Sequence, residues 1–346
     1  MKSIKGINIA GICCCVPSKA VYNKDLTNKN FNIKRIISTI GVKKRHVASA
    51  NTCTSDLIFK STNKLIKNLK WKKKDISILI VITQSADYIT PATSIILQDR
   101  LKLEKSTLTF DVNLGCSGYS HGLSIISSIM SQMNFKKGLL AVGDVSTAGI
   151  NKNDYASKLL FGDAGSVTAV EFDKKKFKNM SYFDYYSDGS GYKDIILPSH
   201  SLSGRKKLSN KSFKTSKDIN GNKRSDVNIH LNGANVYSFA INAVPQFISN
   251  KLKKNANIKY CFLHQANRLI QTNIEKIINV KKVKFPSSLK NYGNTSSASI
   301  PITICENFGG KIFNSLSLLC GFGVGLSMSS AIVNFKNTKV IKILKL

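Results

Sequence analysis

Acidic residues are scarce in this chain of 346 residues, where 19 Asp and Glu stand against 52 Lys and Arg and the formal net charge is +33. Only 6 prolines are present and 42% of the residues are hydrophobic, which excludes a disordered chain. No apolar run approaches the ~20 residues of a membrane-spanning helix, so we expect none. The 8 cysteines contain no Cys-x-x-Cys pair and no disulfide-framework spacing, which favours a reduced, cytoplasmic protein.

The large positive charge has two interpretations. A field of this sign attracts acidic partners, among which nucleic acid and an acidic carrier protein are candidates. The basic runs, such as 70–74 and 281–284, contain no zinc-finger spacing and no aromatic RNA-binding signature. We therefore expect no nucleic-acid binding and interpret the lysines mainly as solvated surface, with attraction of an acidic partner as a secondary effect.

Strand and helix patterns alternate along the chain, which predicts an α/β architecture. The first residues loosely mimic a signal peptide, but Asn8 and three adjacent cysteines make a poor hydrophobic segment, so we expect a strand there. The composition of residues 172–225 shifts to Lys, Ser, Asn and Gly with little periodicity, which predicts loops and edge structure. The predicted strands are 4–16, 76–83, 107–112, 138–144, 161–170, 258–263, 315–320 and 327–333, and the predicted helices are 55–69, 93–101, 117–133, 232–252 and 268–278.

One predicted turn holds a cysteine between a buried strand and a helix. Cys116 lies between Gly115 and Gly118, so that the turn is free of crowding side chains. The start of the next helix supplies unpaired N–H groups and the positive end of the helix dipole, which favour a thiolate. Geometry alone supports a nucleophile and a small buried hydrophobe about equally.

Three later segments are also candidates for chemistry. His264 follows a predicted strand directly, where α/β proteins place site residues. Asn294 lies in a loop of small polar residues in which Thr295 or Ser296 could cap the next helix. The glycine-rich segment 320–325 offers backbone N–H groups to an oxyanion. Taken singly, a core histidine, a turn-forming asparagine and a β-bulge explain these segments equally well.

Together these segments resemble the β-ketoacyl-acyl-carrier-protein synthase III family of the thiolase-like superfamily. The resemblance implies a five-layered αβαβα sandwich of two similar halves, residues 1–172 with the cysteine and residues 173–346 with the histidine and asparagine, and a homodimer. It covers nearly the whole chain, and the matching segments are 41–46, 83–91, Cys116, Phe161-Gly-Asp-Ala-Gly165, His264-Gln-Ala-Asn267, Gly293-Asn-Thr-Ser-Ser-Ala-Ser299 and 321–325.

The resemblance also implies roles. Cys116 is acylated by a thioester primer, and the backbone N–H groups of Cys116 and Val324 stabilise the oxyanion. His264 and Asn294 bind the thioester carbonyl of a malonyl group on an acidic acyl carrier protein while it loses CO₂. No cofactor or metal is expected, because the substrates are acyl-CoA or acyl-carrier-protein thioesters.

Departures from the family pattern leave the primer donor open between CoA and a carrier protein. Two positions that grip the CoA nucleotide in the family hold Arg35 and Thr39 here. Tyr237 falls where an aromatic residue lines the pantetheine channel, and Arg268 is displaced by one position from the family's arginine. We predict that Tyr237, Asn267 and Arg268 contact substrate.

Three other functions compete with condensation. A relative of the same fold transfers an acyl group to a sugar, amine or alcohol without decarboxylation, with His264 as general base. A Cys–His–Asn peptidase would use the same side chains, but the Cys-Gly-x-Cys-aromatic motif near the N-terminus is missing from this chain. A non-catalytic basic binding protein would not need Cys116 at all.

Overall fold

The computed structural model describes residues 1–26, 31–218 and 221–346. Its strands are β1 Lys2–Lys5, β2 Ile7–Val16, β3 Ala20–Tyr22, β4 Lys44–His46, β5 Ile78–Ile82, β6 Leu108–Val112, β7 Lys137–Asp144, β8 Ala164–Phe172, β9 Met180–Ser187, β10 Ile195–Ile196, β11 Ser216–Lys217, β12 Lys223–Arg224, β13 His230–Leu231, β14 Tyr260–Leu263, β15 Ile312–Gly323, β16 Ser327–Val340 and β17 Leu344–Lys345. Its α-helices are α1 Ile33–Ile40, α2 Thr54–Leu69, α3 Thr93–Leu101, α4 Gly118–Met133, α5 Tyr155–Lys158, α6 Gly233–Lys254, α7 Arg268–Ile278, α8 Leu289–Tyr292 and α9 Ser299–Phe308. No helix within these described ranges has the length and apolarity to span a bilayer.

The first half of the chain builds a sheet in the order β6-β5-β7-β8-β2. β5 is parallel to both β6 and β7, whereas β8 is antiparallel to β7 and to β2. β5 is buried along its whole length, because a parallel strand covered on both faces favours continuous β-branched and aliphatic residues. Helices α2 and α3 cover one face, packing Leu65 and Leu97 into the core.

The second half repeats this pattern of strand directions. β14 is parallel to β15, β15 is antiparallel to β16, and β16 is antiparallel to β9. Helices α6 and α7 pack Val244, Ile248 and Ile274 against this sheet. The two sheets join where Lys339 of β16 pairs with Gly11 of β2. We propose the boundary between the halves after residue 172, where β8 ends.

Helices α4 and α9 form a middle layer between the two sheets. Ile126 and Met130 of α4 share one core with Ile300 and Ile304 of α9 and with strands of both halves. With the outer helices on either side, this gives the five-layered αβαβα arrangement. The thiolase-like fold expected from the sequence is therefore confirmed.

Two local predictions are wrong. Residues 172–225 include β9, which pairs with β1 on one side and β16 on the other and therefore lies inside the sheet. Only a few residues of β9 are buried, Phe183 among them, so the pattern of apolar residues that would predict a strand is weak there. In the asparagine loop Thr295 holds the N-cap position of a short 3₁₀ helix, Ser296–Ala298, but makes no side-chain capping hydrogen bond, and Ala298 holds the N-cap position of α9.

Candidate active site

Cys116 lies in the turn between β6 and α4, as the sequence predicts. A hydrogen bond of 2.7 Å from the Gly118 N–H to the Gly115 carbonyl closes the turn, and Cys116 is 9% exposed. A Cβ on Gly323 would lie 2.8 Å from Cys116 Cβ and 2.9 Å from its Sγ. Because Gly323 also has a φ of +149°, only glycine lets the C-terminal end of β15 approach the sulfur this closely.

His264 directly follows β14 and is almost fully buried. Its backbone N–H donates to the Cys320 carbonyl at 2.8 Å, and its Nδ1 hydrogen-bonds Ser299 Oγ at 2.7 Å. The Phe322 ring stands edge-on to the imidazole, with the centroids 5.5 Å apart. These contacts from α9 and β15 fix the orientation of the imidazole.

Asn294 is positioned through its backbone by the segment that ends at Gly162. The Asn294 N–H donates to the Leu160 carbonyl and the Gly162 N–H donates to the Asn294 carbonyl, both at 2.9 Å. A Cβ on Gly162 would come within 2.3 Å of the Tyr292 carbonyl oxygen, so this close approach requires glycine. The Ser296 N–H donates to Asn294 Oδ1 at 2.9 Å, which leaves the Nδ2 group as the donor for a ligand.

Cys116, His264 and Asn294 line one cavity of about 300 Å³. We call it the reaction cavity. Cys116 comes from the first half of the chain, and the other two side chains come from the second half. Apolar residues form much of its wall, including Leu160, Phe161, Leu231, Val236, Ala266 and Ile270. A buried cysteine facing hydrogen-bond donors in a mostly apolar cavity suits attack on an acyl carbonyl.

The electrostatics of the reaction cavity favour neutral side chains in the resting state. Burial raises the pKa of the Cys116 thiol to about 11, although hydrogen bonds from the Val324 backbone and the Ser296 side chain oppose the shift. Burial lowers the pKa of His264 to about 3, with the Ser296 backbone acting in the opposite direction. For Cys116, the cost of desolvating the thiolate therefore exceeds the stabilisation that the helix terminus gives it. The imidazole of His264 is uncharged at neutral pH.

Sequence reasoning missed Asp144, the last residue of β7. This carboxylate is 1% exposed, lines the reaction cavity, and accepts hydrogen bonds from Gln84 N at 2.7 Å and Ser297 Oγ at 2.7 Å. Through these hydrogen bonds Asp144 connects the strands of the first half to the loop that contains Asn294. Burial raises its pKa, and its charge contributes to the raised pKa of Cys116. Its signal in the sequence, a polar residue ending a buried strand, is the one that identified His264.

The remaining predicted site residues fall in different places. Val324 lines the reaction cavity, as does Asn267, whose Oδ1 also caps α7 by accepting from Ile270 N at 2.8 Å. Tyr237 is not among the residues that line this cavity. It packs on the core between α6 and α7, and its hydroxyl accepts a hydrogen bond from Asn273, since this face of α6 turns toward α7. Arg268 lies outside the cavity and donates to the Ser38 carbonyl of α1.

Comparison with known proteins identifies the family. Models of "3-Oxoacyl-[acyl-carrier-protein (ACP)] synthase III" and of its C-terminal part match residues 110–189 and 249–335. A relative from Streptococcus mutans, named beta-ketoacyl-[acyl-carrier-protein] synthase III, is 30% identical over 327 residues, which cover 92% of this chain and 96% of the relative. The chain belongs to the 3-oxoacyl-[acyl-carrier-protein] synthase III family.

Other members of the synthase III family agree in length and fold. The Clostridium perfringens protein of the same name is 28% identical over 338 residues, covering 95% of this chain and 99% of the relative. A crystal structure of a 3-oxoacyl-(acyl-carrier protein) synthase from Burkholderia xenovorans superposes with a TM-score of 0.89 at 32% identity, covering 100% of this chain and 98% of that one.

Among the described residues, no group of His, Cys, Asp and Glu side chains could hold a metal ion.

Proposed function

We propose that this enzyme catalyses a decarboxylating Claisen condensation of an acyl thioester primer with malonyl-acyl carrier protein, through an acyl-Cys116 intermediate. The observation that carries the proposal is the single cavity lined by Cys116, His264 and Asn294. Membership of the synthase III family supports it. The reaction draws on these side chains and two thioesters, so we propose no cofactor.

In the first half-reaction, the Cys116 sulfur attacks the primer carbonyl and the bond between that carbonyl and the primer's own sulfur breaks. The proton lost from Cys116 goes to the departing thiolate, which leaves as the thiol of CoA or of the carrier protein. The tetrahedral oxyanion needs hydrogen-bond donors that are already in position. We assign this role to the backbone N–H groups of Cys116 and Val324. Support comes from the Val324 backbone, which already hydrogen-bonds the Cys116 sulfur in the free enzyme. The product of this step is an acyl thioester on the enzyme.

In the second half-reaction, malonyl thioester loses CO₂ and its carbonyl oxygen gains the charge of an enolate. His264 and Asn294 Nδ2 donate to that oxygen, and a neutral imidazole is suited to this because it still carries one N–H. The enolate carbon then attacks the acyl carbonyl, a carbon–carbon bond forms, and Cys116 leaves as the thiolate. The low pKa of His264 keeps the imidazole neutral at neutral pH, which supports its role as a hydrogen-bond donor.

The competing proposal, acyl transfer to a sugar, amine or alcohol, needs His264 as a general base. Efficient general bases have pKa values near the working pH. The pKa of His264 is about 3, which weighs against that role. Condensation is therefore the function that the site supports best.

The separate roles of Cys116 and Asn294 allow a direct test. In the Asn294→Ala variant, acylation of Cys116 should persist in intact-mass spectra, whereas release of radiolabelled CO₂ from malonyl-acyl carrier protein should fall about 100-fold or more, the loss typical of one oxyanion donor. Asn291→Ala is the matched control, because Asn291 lies in the preceding helix α8 and its side chain donates to Glu306 instead of lining the reaction cavity. Normal CO₂ release by the Asn294 variant would refute the assigned role.

A groove lined by basic residues, outside the reaction cavity, is a candidate docking site for acyl carrier protein. Arg268, which follows the cavity residue Asn267, lines it together with Lys24, Lys34, Lys43 and Lys290. These cations suit an acidic carrier protein or the phosphates of CoA. We propose that the carrier docks here, with its thioester arm entering beside Asn267. Affinity for acyl carrier protein should then decrease steeply with salt and in a Lys34→Glu variant.

We also propose a homodimer, which rests on family membership and on exposed apolar residues. Tyr88 and Ile89 are 63% and 76% exposed, and Ile95 on the adjacent α3 is also exposed. Large apolar side chains exposed in this way favour association. An Ile89→Asp variant should sediment as a smaller species than the wild type, while equal sedimentation would contradict this interface. A cytoplasmic location remains a proposal that fits the reduced cysteines.

A further inference from the structure

The loop that carries Asn294 contains a residue in an unfavourable backbone conformation. Ser296 has a φ of +49°, which residues other than glycine rarely adopt and which surrounding contacts must maintain. Its N–H donates to Asn294 Oδ1 at 2.9 Å, so the conformation of Ser296 decides which atom of the Asn294 amide faces the reaction cavity. The orientation of this amide therefore depends on the contacts that hold the turn at Ser296.

Asp144 holds this turn from the first half of the chain. Ser297, the next residue of the turn, donates to Asp144 Oδ2 twice, through its N–H at 3.2 Å and its Oγ at 2.7 Å. The other oxygen, Oδ1, accepts from Thr83 Oγ1 at 3.1 Å and from Gln84 N at 2.7 Å, both just after β5. Asp144 and Ser297 are both almost fully buried, so water competes little for these bonds.

The charge of Asp144 has no cation beside it. The chain has 52 Lys and Arg, yet among the residues that the structure describes Asp144 takes part in no ion pair. Its hydrogen-bond donors are all neutral, and they are two backbone N–H groups and the hydroxyls of Thr83, Ser85, Ser296 and Ser297. Hydrogen bonds to a charged acceptor are stronger than those between neutral groups, so this carboxylate holds the turn firmly.

The donors around Asp144 require a carboxylate at this position. Each of its oxygens accepts from one backbone N–H, that of Gln84 at Oδ1 and that of Ser297 at Oδ2. An amide would have to turn its NH₂ group toward one of these two groups, which can only donate. An Asp144→Asn variant of nearly the same shape therefore loses at least one bond that holds the two halves together at this point.

We propose that Asp144 is a positioning residue for decarboxylation: its carboxylate holds the turn at Ser296 and thereby directs Asn294 Nδ2 toward the enolate oxygen. The inference rests on the proposed condensation and adds a residue to its second half-reaction. Asp144 acts through Asn294 and takes no part in bond breaking. Misplacing such a donor by about 1 Å can cost about 100-fold in rate, so the contribution is measurable.

A double-mutant cycle tests the inference. Release of labelled CO₂ from saturating malonyl-acyl carrier protein is measured for the wild type, Asp144→Asn, Asn294→Ala and the double variant. We expect Asp144→Asn to lower the rate about 10-fold or more, while intact mass still shows acylation of Cys116. In the Asn294→Ala background the same substitution should change the rate by less than about twofold, because its effect passes through the missing amide.

Two serine variants complete the experiment. Ser297→Ala removes the 2.7 Å bond and keeps the carboxylate, so CO₂ release should fall while the pH midpoint for alkylation of Cys116 by iodoacetamide stays in place. Asp144→Asn should change both quantities. Ser61→Ala is the matched control, because it deletes a fully buried hydroxyl that bonds only within α2, and it should change neither.

Normal CO₂ release by Asp144→Asn, or an equal loss in the Asn294→Ala background, would overturn the inference and leave the condensing function intact. A matching loss of acylation would also overturn it, because the substitution would then damage the site as a whole. If Asp144→Asn does not fold, Ser297→Ala decides, and normal CO₂ release by that variant contradicts the inference. If the wild type releases no CO₂ from malonyl-acyl carrier protein, the proposed condensation itself fails.

Discussion

The raised pKa of Cys116 makes its reactivity toward alkylating agents depend strongly on pH. Only the thiolate is alkylated, so the rate follows the ionised fraction. With a pKa of about 11 in place of the ordinary 9.0, that fraction at pH 7 is about 10⁻⁴ rather than ~10⁻². The thiol in the free enzyme should therefore react about 100-fold more slowly than an ordinary cysteine at that pH.

The assay follows iodoacetamide modification by intact mass in a Cys53→Ser background. Cys53 is exposed, whereas Cys116 and the six other cysteines are buried, so the substitution removes the competing surface thiol. The rate at Cys116, located by peptide mapping, should rise about tenfold per pH unit up to about pH 10. A plateau below about pH 9 would refute the reasoning, because backbone donors would then outweigh desolvation.

Three substitutions test the surroundings of the nucleophile and the packing of the fold. Asp144→Asn removes a negative charge that raises the pKa of the nucleophilic thiol, so the alkylation midpoint should move to lower pH, and an unchanged midpoint would contradict the coupling. Gly323→Ala should abolish acylation in the intact-mass assay, because the new Cβ overlaps the sulfur, whereas Gly189→Ala, with open space around it, should not. Asp154→Ala removes the 2.6 Å partner of the largely buried Arg224, which keeps Asp218 at 3.5 Å and the Leu231 carbonyl at 3.3 Å. The protein should therefore lose about 1–3 kcal/mol of stability and its thermal midpoint should fall, whereas an unchanged midpoint would show that the pair contributes little.

The elements around Cys116 could be predicted because their signals are local. A β-branched strand, a glycine turn and a helical apolar spacing follow one another within 107–133, and the structure has β6 and α4 there. The same holds for His264 at the end of β14. That these side chains share a cavity with Asn294 could not be derived from spacing, since it depends on two sheets joined through β16 and β2. Family resemblance supplied that expectation.

The features missed by sequence reasoning have physical causes. β9 carries few buried apolar side chains, so its signal is weak although it lies within the sheet. Tyr237 was predicted to contact substrate from its position in the family pattern; Val236 rather than Tyr237 lines the reaction cavity, and a contact between Tyr237 and substrate stays a prediction. Asp144 ends the buried strand β7 and Gln84 lies shortly after the buried strand β5, but a polar residue at the end of a strand does not by itself show which cavity it lines.

The most direct measurement counts CO₂ against acyl groups in a single turnover. Enzyme carrying a preformed acyl-Cys116 is mixed with malonyl-acyl carrier protein labelled in the free carboxyl group, and loss of the acyl mass and release of label are followed together. Condensation predicts one CO₂ for each acyl group that leaves the enzyme, with a lengthened acyl chain on the carrier. Loss of the acyl group without CO₂, or its persistence on Cys116, would contradict the account.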